Sequence, residues 1–172
     1  MALTHLEFSF HLTTCNLSDR TRTFPNPFTG KPETVPVDDG LTADECSALR
    51  AVTHTAGFIK SPIPGEGYEL QLSQDEAIRL RGEIEVAQRG FEVEIVVRSL
   101  PDHLLDLVLP IAHAGNLALT SSTGEHVRLL EVPTTELIDK RWPNAPLVRS
   151  RPELRHWLDH VICARPVRVG PA

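Results

Sequence analysis

The chain has 172 residues, 41% of them hydrophobic and 23% charged, and a net charge of −6, the composition of an ordinary folded domain rather than a disordered one. The charge is uneven: eight basic against five acidic residues in 128–172 leave +3 there and −9 over the first 127 residues. An acidic body of this kind argues against general nucleic-acid binding, because phosphate contacts need a concentrated basic surface.

No run approaches the roughly 18–20 consecutive apolar residues that cross a bilayer. The start, Met1-Ala2-Leu3-Thr4-His5-Leu6-Glu7, lacks the basic and apolar stretches of a secretory signal. Cys15, Cys46 and Cys163 are odd in number and far apart, with no Cys-x-x-Cys pair, and reduced thiols fit a cytoplasmic protein. One globular domain over 1–163 is expected, followed by a flexible tail over 164–172 that contains Pro166, Gly170 and Pro171.

In chain order, Leu6, Phe8, Phe10 and Leu12 alternate with Glu7, Ser9 and His11, the period-two pattern of a strand with one face in the core. Arg20–Phe24 reads as a second strand and Glu33–Val37 as a third, edge-type strand interrupted by Pro36. Between them Pro25, Pro27, Gly30 and Pro32 force a turn or protruding loop. A helix over 42–56 is announced by its cap: the Thr42 hydroxyl and the Glu45 carboxylate have the spacing of a capping box, and Leu41 and Cys46 that of a hydrophobic staple. Cys46, Leu49, Val52 or Thr53, and Ala56 form its buried stripe, and Gly57 stops it.

A connection rich in proline and glycine over 57–67 precedes an alternation at Tyr68, Leu70 and Leu72. A longer strand then runs from Ile78 to Val86, with Gly82 as a bulge or a close backbone approach. Phe91–Val97 alternates again, so three consecutive strands form a meander. The helix over 101–114 is too apolar to lie in the open, with Ser99 as N-cap and Pro110 predicting a kink or an early end. Residues 117–132 read as a hairpin and 133–142 as a short helix. Residues 151–163 read as an amphipathic helix with Leu154, Trp157, Leu158, Val161 and Ile162 inward.

The fold expected is α+β: a single domain with a mostly antiparallel sheet of six or more strands and about three main helices packed largely on one face. Reactive groups are sparse. His156 and His160 have the spacing of a helical zinc pair but face away from the apolar stripe. His103 and His113 flank the buried helix and are read as boundary histidines. Cys46 falls on a buried face where a thiol is inert, and Gly65-Glu66-Gly67 lacks the lysine and helix of a phosphate loop. Neither a catalytic residue nor a metal or cofactor is assigned.

The acids are more suggestive. Asp38, Asp39, Asp44 and Glu45 lie close to Glu33 and to a loop carrying Phe28. Glu83, Glu85, Glu92 and Glu94 are expected on the same faces of two adjacent strands, with Arg79 and Arg81 able to neutralise part of them. The expectation is a non-enzymatic, cytoplasmic protein-binding module of the immunity-protein or antitoxin kind. Its acidic surface would dock a basic protein partner, with Phe28 as an apolar anchor and no nucleic acid or membrane involved. The alternative is a small enzyme, with or without a metal, using His103, His113 or His156 with His160.

Overall fold

The computed structural model describes residues 4–27, 29–98, 102–122, 127–130, 141–142, 144–161 and 165–168. Along them run β1 (Thr4–Thr14), β2 (Leu17–Pro25), β3 (Pro32–Asp38), α1 (Ala43–Thr55), β4 (Ile59–Lys60), β5 (Tyr68–Gln71), β6 (Ala77–Arg81), β7 (Gly90–Val97), α2 (Asp102–Ala114), β8 (Leu117–Ser121), β9 (Val127–Arg128), α3 (Arg151–Val161) and β10 (Arg165–Arg168). One antiparallel sheet has the order β4-β5-β6-β7-β1-β8-β9, with β10 added against β1, and β2 and β3 form a separate two-stranded ribbon. The α+β architecture follows from the pattern: apolar residues at every second position in the strands and at spacings of three and four in the helices.

One face of the sheet meets the helices. Phe8, Phe10 and Leu12 of β1 stand in register with Ile95, Val93 and Phe91 of β7, and all six are buried with Leu49 of α1, Leu104, Leu105, Val108 and Ile111 of α2, and Leu154, Trp157 and Leu158 of α3. Each such side chain contributes about 1.5–3 kcal/mol when fully buried, so this layer dominates the stability. Phe10 meets Trp157 edge to face, with ring centroids 5.9 Å apart and planes at 86°, the arrangement that the aromatic quadrupole favours. A smaller core sits on the opposite face at the far end, where Ala118, Val127 and Leu129 pack with Leu17, Trp142, Ala145 and Leu147.

Helix α1 begins as its sequence dictates. The Glu45 amide donates to the Thr42 hydroxyl at 3.3 Å, and the Thr42 amide donates to the Glu45 carboxylate at 2.8 Å. The helix closes at Ala56, with Gly57 at φ +88 just beyond. In α2, Pro110 does not end the helix, which continues to Ala114; the packed apolar face holds the turn together although the Asp106 carbonyl loses its donor. Ser99 lies outside the described residues, as do residues 133–140 of the short helix expected over 133–142.

Two expectations are corrected. The strand from Ile78 does not reach Val86: it stops at Arg81, because Gly82 has φ +124 and turns the chain out of the sheet. Ile84 is buried all the same, whereas Val86 is 64% exposed, so an apolar alternation continued through a segment that is not strand. In addition, Arg165–Arg168 is not a free tail, since it pairs with Thr4–Glu7.

Candidate interaction surface

The ribbon and the open face of the sheet hold the carboxylates singled out above, and they treat them differently. The ribbon is exposed over most of its length, and at its far end the turn 26–31 closes through the Asn26 amide on the Lys31 carbonyl at 2.8 Å. Phe28 lies outside the described residues. A two-stranded ribbon is marginal by itself in water, so the base decides whether it stays in place. There Asp38 is 6% exposed. Its Oδ1 accepts from the Thr14 hydroxyl at 2.5 Å and from the Gly40 amide at 2.9 Å, and its Oδ2 faces the Arg141 guanidinium at 3.6 Å.

Burial sets the electrostatics of this node. The Cys15 thiol is pushed up to about 12, first by desolvation and then by the Asp38 charge. This is the opposite of what activates a nucleophile. The Arg141 guanidinium is lowered by burial and partly restored by Asp38, and it stacks over the Trp142 ring with its central carbon 4.8 Å from the centroid. The rest of this acid cluster is committed to local structure. Asp39 pairs with Arg20. Glu45 caps α1 and also accepts from the Asn16 side chain at 2.6 Å, while Asp44 is exposed in the first turn of α1.

On the open face, Ser9, Glu94, Arg79, Glu69 and Ile59 stand in register across five strands, and His11, Glu92 and Arg81 form the next row. The expected wall of like charges is therefore not present. Glu83 and Glu85 lie beyond the end of β6, and the strand neighbours of Glu92 and Glu94 are arginines. Arg81 grips Glu94 with two nitrogens at 2.6 and 2.9 Å, a fork pair that raises the arginine further. Arg79 holds Glu69 at 2.6 Å.

Glu83 instead ties two connections together: it takes the Lys60 ammonium at 2.7 Å and the Gly65 amide at 3.3 Å. Its carboxyl is lowered by both contacts, and Lys60 is raised in return. The most exposed large apolar side chains of the described residues are Ile59, Ile63 and Val86, at 75%, 55% and 64% exposure; the first two stand close to Lys60 along the chain. Beside it a groove of about 500 Å³ is lined by Ile59, Pro62, Glu66, Tyr68, Arg79 and their neighbours.

Sequence reasoning missed the groove and the Thr14–Asp38–Arg141 node. For the node, the available signal was Asp38-Asp39-Gly40 directly after a strand, where an aspartate commonly bonds its own backbone two residues on. Of the histidines, His113 and His156 are exposed, and the side chains of His103 and His160 lie outside the description. No group of three His, Cys, Asp or Glu side chains among the described residues is placed to hold a metal, and no described helix is long and apolar enough to cross a membrane. No family model, no curated protein and no solved structure matches the chain.

Proposed function

We propose that this chain is a non-enzymatic, cytoplasmic protein-binding module of the immunity-protein or antitoxin kind, and that it holds a basic partner against the β4–β7 side of the open face. The observation that carries the reading is the exposure of Ile59 and Ile63, close along the chain to Lys60 and its tie to Glu83, at the margin of a surface rich in carboxylate. Within 59–97 the chain carries Glu66, Glu69, Glu76, Glu83, Glu85, Glu92, Glu94 and Asp75 against Lys60, Arg79, Arg81 and Arg89. Apolar anchors inside a charged rim are the usual anatomy of a specific interface. The acid excess favours a cationic partner and speeds its approach.

The test is capture from the source lysate by the tagged chain and by an Ile59→Asp/Ile63→Asp variant, at low and high salt. Both isoleucines are exposed, so the variant keeps the wild-type melting curve. A basic protein retained by the wild type, released by salt and lost in the variant supports the reading. Equal retention by the variant overturns it.

A further inference from the structure

Resting on that reading, we propose that the groove beside the β4–β5 hairpin is a socket for one lysine or arginine side chain of the partner. The charges lining it are unequal in what they have left to give. Lys60 is held by Glu83 at 2.7 Å, Arg79 by Glu69 at 2.6 Å and Arg81 by Glu94 at 2.6 Å. Glu66 accepts only from the Ser61 hydroxyl at 2.9 Å, and among the described residues no cation lies within ion-pair distance of it.

An incoming cation therefore meets a carboxylate with no ion-pair partner of its own, only the field of Arg81, which Glu94 already holds. An incoming anion would be repelled by Glu66 and would have to displace Glu69 or Glu94 from its arginine. The walls suit the same guest, since Ile59 and Pro62 offer apolar surface to an aliphatic stem. The volume of about 500 Å³ is ample for one long side chain, and the edge of the sheet leaves the groove open to a partner's surface.

The experiment titrates the full chain with N-acetyl-arginine methylamide and N-acetyl-lysine methylamide at millimolar concentrations, with N-acetyl-glutamate methylamide as the anionic control, following backbone amide shifts by NMR. Shifts gathered at Ser61, Glu66 and Tyr68 are expected with the cationic probes. Glu66→Gln is expected to weaken the arginine probe about fivefold, the upper range for an exposed ion pair, and Asp159→Asn, on the exposed side of α3, to leave it unchanged. Equal binding of the glutamate probe, or an unchanged Kd in Glu66→Gln, overturns the socket. If the probes fail while Ile59→Asp/Ile63→Asp still releases the partner, the socket falls and the binding reading stands. If the probes bind at Glu66 while that variant keeps the partner, the reading falls and the cation site stands.

Discussion

At the base of the ribbon a carboxylate is locked inside the molecule, whereas on the open face carboxylates of the same kind lie half in water, each opposite a guanidinium. Asp38 has lost its hydration and has in exchange hydrogen bonds from Thr14 and Gly40 on one oxygen and the charge of Arg141 at 3.6 Å from the other. Glu94 keeps contact with solvent, with its side chain 18% exposed and its arginine 39%. The difference teaches that an acidic stretch of sequence is not an acidic surface: position relative to the sheet decides whether a charge supports the fold or faces a partner.

The sharpest way to break this comparison is Asp38→Ala. It leaves Arg141 half-buried without its counter-charge and removes the nearer of the Thr14 hydroxyl's two acceptors, leaving the Arg89 carbonyl at 3.3 Å. A loss of about 3 kcal/mol is expected, as for one partner removed from a buried pair, read as a lower urea midpoint at unchanged m. Asp39→Ala next to it is expected to cost less than about 0.5 kcal/mol, because its pair with Arg20 is exposed.

Cys15 gives a second handle on the buried side. Its thiol is held at about 12 against an ordinary 9.0, so the folded chain keeps a proton that the unfolded chain gives up. The sign follows from linkage: this contribution is complete below 9.0 and is lost as pH rises toward 12. Cys15→Ser is therefore expected to flatten the alkaline fall of stability relative to the wild type, measured by urea midpoints across that range.

Smaller effects sharpen the contrast. Thr42→Ala removes the cap of α1 and is expected to cost about 1 kcal/mol, seen as a lower melting temperature. On the open face a double-mutant cycle on Arg81 and Glu94 is expected to return a coupling of about 0.5–1 kcal/mol that shrinks in high salt. A coupling above that of Asp38 with Arg141 would erase the distinction between the two regions.

The parts of this fold that were legible in the sequence are those fixed by neighbours along the chain. The capping box needs only Thr42 and Glu45, and the buried stripe of α1 needs only its own period. The faces of β1 and β7 follow from alternation. The neutralisation of strand acids by Arg79 and Arg81 was legible because the two strands are consecutive, whereas alternation cannot show that Glu83 and Glu85 fall beyond the end of β6. Strand β6 was overextended for a related reason: Ile84 is buried like a strand residue, but Gly82 had already turned the backbone. The clamp on Asp38 joins residues 24 and 103 positions away, and no local pattern records such a contact.

Strand β1 is flanked by β7 on one side and by β8 and β10 on the other. Its nearest hydrogen-bonding partners therefore arrive about 80 to 110 residues later in synthesis. During translation this apolar strand waits unpaired while most of the chain emerges, and the closure of so long a loop must precede the gain from pairing. The meander β4–β7 can close on near neighbours along the chain, whereas β1 is seated only once β7 is in place, so the two halves of the sheet have different loop-closure costs.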